Sequence, residues 1–392
     1  MATSITSPNR EMGVLFLVSF ITRTSSIVVQ SVAPFVVVQL FSFPASFVGY
    51  IIAAYWIANA IGTIVAMGVI KRPRLSTIIG FLITALSFAG LAYGKSPLVF
   101  GLFVALSGFG LAVLQAFLVP SMYFMGEDDR RHSGIGMYSL ALSLGLIVGP
   151  LLSAALIHLY GFFTLFSILS ISSIATLVAS VVLGAQTTGL GSTVRIGASL
   201  AQFLAIFKRH GFVGVYFVNF LYSLLLPIFV TYTGVFARAH FDVSSSTALA
   251  MFTATFAVSS FLRWLYSRMR IRSFRAVLAI SLVVLAASLF LIGTTANFDL
   301  FILGFVSFGV PHGLVYPSMT FVALERGGSE NLVNTSYVFA TSSGVAEFIA
   351  PLAAAPVIAL YGLSTIFVIT AIIPLTALGV LLTIPNEVLQ GS

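Results

Sequence analysis

Glu347 is the one carboxylate of this sequence that falls deep inside a long apolar run; the other nine of its ten acids lie near the ends of such runs or between them. An ionised carboxylate in hydrocarbon costs several kcal/mol, so the side chain must face a polar cavity, pair with a base or take up a proton. Low dielectric disfavours the charged form, which lets Glu347 exchange a proton near physiological pH and couple that exchange to the movement of a solute. The competing reading is a permanently protonated carboxyl that bonds a neighbouring helix. Arg23 is the matching cation. It belongs to a face of the first run that reads Ser19, Arg23, Ser26 and Gln30, a helical spacing of polar residues that does not suit lipid. Arg23 can neutralise Glu347 or attract an anionic solute, unless the run begins later and the arginine sits at the membrane boundary.

His312 follows Pro311 and aligns with Gln115 through a shared Pro-Ser-Met, which places two polar residues at equivalent positions of two helices. A neutral imidazole there can relay protons or hydrogen-bond a solute, and an interhelical contact explains it equally well. Tyr316 and Phe308 stand one turn to either side. Pro311 and Pro317 bracket the histidine and imply a bent helix able to gate. Softer candidates are Tyr55, Asn59 and Thr63 on one face, and Tyr216, Asn219 and Ser223 on another, where helix packing is an equal alternative. No histidine and acid stand at metal-ligand spacing, and cysteine is absent, so neither a metal centre nor a thiol nucleophile is expected. No cofactor is implied.

These side chains need elements to hold them, and composition says what kind. Hydrophobic residues make up 59% of the chain and charged residues 7%, against roughly a quarter charged in soluble domains, so the solvent is lipid. A bilayer core of about 30 Å takes roughly 20 apolar residues per helix. Twelve runs of that kind are present: 13–41, 47–70, 76–93, 97–125, 134–159 and 162–183, then 211–237, 246–266, 276–292, 299–324, 332–360 and 363–384. The predicted fold is an all-α membrane protein of twelve transmembrane helices in two pseudo-symmetric six-helix bundles.

The symmetry is visible as a repeat. Gly149-Pro150 followed by Leu159-Tyr160-Gly161 returns as Ala350-Pro351 followed by Leu360-Tyr361-Gly362, at one offset of 201 residues, and Phe166 and Ile168 match Phe367 and Ile369 in that register. Pro120-Ser121-Met122 returns as Pro317-Ser318-Met319 at an offset of 197. The expected domains are residues 1–185, a linker at 186–210 with a short surface helix over 199–209, and residues 211–392. Duplicated halves in a membrane chain are the usual build of a secondary transporter. In this register Glu347 replaces Leu146, so the acid breaks the symmetry.

Charge orients the chain. With the amino terminus inside, fifteen of the basic residues fall on the inner side, among them Lys71, Arg72, Arg74, Arg130, Arg131, Lys208, Arg209, Arg263, Arg268 and Arg275, while Lys95 and Arg238 fall outside. Both termini are therefore expected in the cytoplasm, with the protein in the cytoplasmic membrane. The net charge of +8 is then a topology signal and not a nucleic-acid-binding face.

Twelve runs, a central linker and three local patterns resemble the major facilitator superfamily over essentially the whole chain. Gly145-Leu146-Ile147-Val148-Gly149-Pro150 is similar to that family's G-x-x-x-G-P motif, prominent among its proton-coupled exporters, whose glycines let helices touch and whose proline bends the helix. Between the second and third runs Gly68, Lys71, Arg72 and Arg74 match the family's glycine and basic cluster without its acid. Gly108-Phe109-Gly110 remains of its fourth-helix pattern, without the arginine. The resemblance implies that the first, fourth, seventh and tenth helices line a central cavity, which would place Arg23 on the pathway; Gln30, Gln115, Asn219, Tyr216, Tyr316 and, on the second helix, Asn59 are the other solute-binding candidates. It also implies a monomer.

No nucleotide-binding loop and no large soluble segment is present, so transport would be gradient-driven or passive. The preferred expectation is proton-coupled efflux of a small, fairly hydrophobic or cationic organic compound, with Glu347 and His312 handling protons. An anionic-metabolite transporter built on Arg23 is the alternative. A membrane-embedded enzyme or sensor lacks the paired groups it would need.

Overall fold

The computed structural model of the chain describes residues 8–66, 70, 73–116, 118, 121–122, 131–182, 200–269, 271, 273–327 and 332–390. Gly68, Lys71, Arg72, Pro120, Arg130 and most of the linker lie outside the described residues. Twelve helices are long and apolar enough to cross a membrane. They are α1 (Met12–Leu40), α2 (Ala45–Val65), α3 (Arg74–Tyr93), α4 (Pro97–Gln115), α5 (Met137–Tyr160) and α6 (Phe162–Val182). The second half supplies α7 (Phe212–Phe241), α8 (Ser245–Arg268), α9 (Phe274–Thr294), α10 (Phe298–Gly327), α11 (Asn334–Tyr361) and α12 (Leu363–Thr383). A short helix, Leu200–Phe207, precedes α7. The fold is the predicted twelve-helix membrane protein, and no strand longer than an isolated bridge occurs among the described residues.

Local chemistry sets the ends of these helices. Ser96, Ser244, Ser273 and Asn297 accept from the backbone N–H three residues on and so cap α4, α8, α9 and α10. The repeated Leu-Tyr-Gly is a stop signal. Gly161 and Gly362 adopt φ of +82° and +85°, a left-handed conformation that only glycine takes freely, and their N–H groups close the last turns of α5 and α11 onto Ile157 and Ile358. Each next helix then starts at once.

Three helices are interrupted, each for the same reason. α7 breaks at Leu224, α10 at Phe308 and α12 at Ala371, and each break is followed three residues later by Pro227, Pro311 or Pro374. A proline has no N–H, so the carbonyls four residues before it, those of Ser223, Ser307 and Thr370, lose their helical donor. In α1, Pro34 precedes a π-helical turn over Val36–Leu40.

The chain forms two compact units: Met1–Ser42 with Ala54–Arg195, and Phe43–Ala53 with Ile196–Ser392. In the first unit the glycine motif of α5 lies against α1. A Cβ on Gly145 would fall 2.9 Å from Cβ of Arg23 and 3.0 Å from the Thr24 nitrogen, and one on Gly149 would fall 2.5 Å from Cγ2 of Ile27. Gly108 of α4 is similarly pressed against the Tyr55 carbonyl, and Asn59 Nδ2 donates to the Gly108 carbonyl at 3.1 Å. The second unit repeats this device: Gly309 and Gly313 of α10 sit against the Thr255 and Ser259 carbonyls of α8. Gly49, in the segment of α2 assigned to that unit, rests on the Pro351 carbonyl and the Tyr232 hydroxyl.

Basic residues at the helix ends of the second unit find main-chain carbonyls. Arg275 donates to the Leu382 and Ile384 carbonyls, and Arg326 donates to that of Glu387. They hold the segment after α12, which tucks in so closely that Ile384, Val388 and Leu389 are buried.

The contact of α5 on α1 leads to a stability prediction. Gly149→Val pushes a branched side chain into Ile27 and is expected to destabilise the protein by about 1–3 kcal/mol, the usual cost of overpacking. Thermal melting of the purified variant checks it, and an unchanged midpoint would show that the close approach is not needed.

Candidate functional site

α10 carries its polar centre just past the break. His312 lies fourteen residues from the start of its span and fifteen from the end, and is buried. Neighbouring helices supply side-chain donors to the carbonyls around the break: Ser288 to Gly304, Thr255 to Phe305 at 3.0 Å, and Arg263 Nη2 to His312 at 3.2 Å. α8 comes near enough for two of these donors because Gly309 and Gly313 have no side chains.

The imidazole is held at both nitrogens. Tyr222 Oη lies 3.0 Å from Nδ1 and Arg263 Nη2 lies 3.3 Å from Nε2. A guanidinium only donates, so in this contact Nε2 accepts, and Nδ1 carries the proton donated to Tyr222. The hydroxyl proton of Tyr222 is thereby left for a further acceptor. Phe256 meets the imidazole edge to face at 5.7 Å, while Phe308 stacks instead on Phe229 at 3.8 Å. Tyr316 is 45% exposed, and so is the accessible ring of the group.

A second polar cluster joins α7 to α11. Tyr216 pairs with Thr341 at 3.0 Å, Asn219 Nδ2 donates to Ser342 and Ser343 at 2.7 and 2.9 Å, and Ser223 pairs with Ser343 at 3.0 Å. Ser342 spends its own proton on the Phe339 carbonyl at 2.6 Å, which makes it an acceptor for Asn219. These bonds engage the Tyr216 hydroxyl and the Asn219 amide nitrogen, while Asn219 Oδ1 is buried with no hydrogen-bond partner. Glu347 follows Ser343 by four residues, one turn further along α11, thirteen residues from Asn334 and fourteen from Tyr361. It is half-buried and engaged by other groups.

In the first unit the stripe on α1 is turned into protein. Ser19, Ser26 and Gln30 are buried, and Gln30 Nε2 donates to Ser26 Oγ at 2.9 Å, which pairs with Tyr55 Oη at 2.9 Å. Arg23 is half-buried against Gly145, and its Nε is buried with no hydrogen-bond partner. Gln115 ends α4 half-buried, and Thr63 bonds the Asn59 carbonyl at 3.2 Å. Pro150 and Pro351 lie inside α5 and α11, and the Pro351 carbonyl faces Tyr232 Oη at 3.5 Å. Among the described residues no three histidines or acids gather as a metal site would require.

Sequence reasoning missed two partners of His312. Arg263 reads as a helix-end base, yet Thr255, Ser259 and Arg263 stand at successive fours and mark a polar stripe on α8. Tyr222, three residues beyond Asn219, continues the polar face of α7.

The sequence model of the Major Facilitator Superfamily matches residues 15–351. Among solved structures, the chain resembles the nucleoside transporter NupG, with a TM-score of 0.73 and 14% identity over 95% of this chain and 98% of that one. It resembles a POT family transporter in complex with a thioalcohol-conjugated peptide, with a TM-score of 0.76 and 14% identity over 97% and 96%. The human organic anion transporter MFSD10 gives 0.68 and 16% over 96% and 99%. No curated protein matches the chain.

A double-mutant cycle tests the histidine network. Tyr222→Phe leaves the Nδ1–H without its acceptor and should cost about 1–3 kcal/mol, and in combination with His312→Leu the losses should fall short of additivity by at least about 0.5 kcal/mol. Strict additivity in chemical or thermal unfolding would remove the bond.

Proposed function

The chain belongs to the major facilitator superfamily, and from that premise we propose that it is a proton-coupled secondary transporter that exports a small, fairly hydrophobic or cationic organic solute. It is an integral membrane transporter and not an enzyme. One observation carries the coupling: Glu347 occupies the centre of α11, where a bilayer is least able to solvate a charge, and continues the polar seam of Thr341, Ser342 and Ser343. A carboxyl so placed binds either a proton or a cationic solute, and competition for one site makes the two move in opposite directions.

The glycine motif of α5 supports export, since it resembles that of the family's proton-coupled exporters. The bias of basic residues supports an orientation with both termini in the cytoplasm and the protein in the cytoplasmic membrane. Residues 1–185 and 211–392 would act as the two moving halves, with 186–210 as linker, in a monomer. His312, held by Arg263 and Tyr222, is the second proton-handling candidate. Tyr316, Tyr216, Gln30, Gln115, Asn59 and Asn219 are the remaining solute-facing candidates.

A second reading rests on Arg23. No acid lies inside any span of the first unit, and Arg23 Nε is buried without a hydrogen-bond partner, a combination that favours an anionic group of a solute.

Glu347→Gln should reduce flux driven by a pH gradient to the level of vesicles without protein, while solute exchange at equal pH continues. Gradient-driven flux that survives in this variant removes Glu347 from coupling. For the second reading, Arg23→Gln should weaken binding of anionic solutes about tenfold or more and leave cationic ones untouched, as expected for loss of a charge-assisted bond; equal affinity for anions would exclude it.

A further inference from the structure

We propose that the end of α8 binds the phosphate of an anionic phospholipid. Arg268 is the last residue of α8, where the apolar span gives way to water. Its guanidinium lies over the indole of Trp264, with Cζ 4.4 Å from the ring centroid. Trp264 stacks on Phe261 with 5.8 Å between centroids. Residues 261, 264 and 268 are spaced by three and four, so they share one face of the helix. That face is open: Phe261 is 58% and Trp264 49% exposed, and Arg268 is exposed above them. Rings so exposed on a span lie against acyl chains and headgroups.

The arrangement presents an anion site with a hydrocarbon wall below it. Stacking covers one face of the guanidinium and fixes its plane, which leaves the N–H groups along its edge directed outward. A planar fork of donors fits two phosphate oxygens. Arg275 and Arg326, two other arginines at this end of the unit, donate to carbonyls of the segment after α12. Arg268 differs from them. Among the described residues no carboxylate pairs with it, and its exposed edge suits an anion from the bilayer. A free phosphate would satisfy the guanidinium alone, whereas a lipid also covers Trp264 and Phe261. The continuity of charge and exposed aromatic surface therefore favours the lipid. In the orientation proposed above this is the cytoplasmic leaflet, although the site itself requires only a membrane boundary.

Purified protein in phosphatidylcholine nanodiscs, with and without phosphatidylglycerol, tests the site through melting temperature and through lipid retained in native mass spectrometry. Phosphatidylglycerol should raise the melting temperature of the wild type. Arg268→Gln should weaken its apparent binding about fivefold, the worth of one basic residue at an anionic surface. Trp264→Leu keeps the charge but removes the platform, and should also weaken binding. Inorganic phosphate should have no effect. The proposal falls if the wild type is indifferent to headgroup charge, or if Arg268→Gln binds phosphatidylglycerol as the wild type does. Stabilisation by inorganic phosphate equal to that by the lipid would overturn the assignment to lipid.

Discussion

Hydrocarbon supplies neither hydrogen-bond donors nor acceptors, so the backbone polar groups within a span have to be satisfied by the protein itself. Most of this chain meets that requirement by continuous helix, and at one place where it does not, the break in α10, polar side chains gather. Pro227, Pro311 and Pro374 each leave a carbonyl without its helical donor. Around the break in α10 the response is concentrated: Ser288, Thr255 and Arg263 all direct side-chain donors at α10 carbonyls. Arg263 then reaches the imidazole of His312 as well, which ties a backbone defect to a titratable side chain. Breaks of this kind also weaken the helix as a rigid rod, which suits an element that has to bend.

The two units solve one packing problem in two ways. α5 meets α1 through Gly145 and Gly149, which let backbone approach backbone with no polar contact. Their counterparts in the repeat are Ala346 and Ala350, and α11 meets α7 instead through Asn219, Ser342, Ser343, Tyr216 and Thr341. The contact made by small residues in the first unit is made by a row of hydroxyls and an amide in the second. Glu347 takes the place of Leu146 beside that row. A carboxyl is tolerable there because the helix already carries polar neighbours, whereas the same residue between the glycines of α5 would have none.

Much of the fold was legible because lipid imposes a coarse rule. Run length gave twelve helices with ends mostly within a few residues of those found, and Leu-Tyr-Gly marked two stops whose glycines do adopt left-handed φ. The side-chain partners were less legible, because hydrogen bonds between helices depend on which faces meet. Asn219 and Ser342 are 123 residues apart, and nothing in either neighbourhood names the other. Arg263 illustrates the limit: its distance from the end of α8 reads as a boundary charge, and only the approach of α8 to Gly309 and Gly313 turns it toward His312. Arg275 and Arg326 likewise gave no hint that main-chain carbonyls would take the place of an acid.

Proton coupling through α11 requires that the carboxyl at its centre gain and lose a proton while the protein stays folded. Infrared difference spectroscopy of the purified protein, titrated across the range in which it is stable, observes that event directly. We expect a protonated-carboxyl absorption that grows as the pH falls and is missing from Glu347→Gln. A spectrum with no titrating carboxyl band, or one that the substitution leaves intact, would contradict the account.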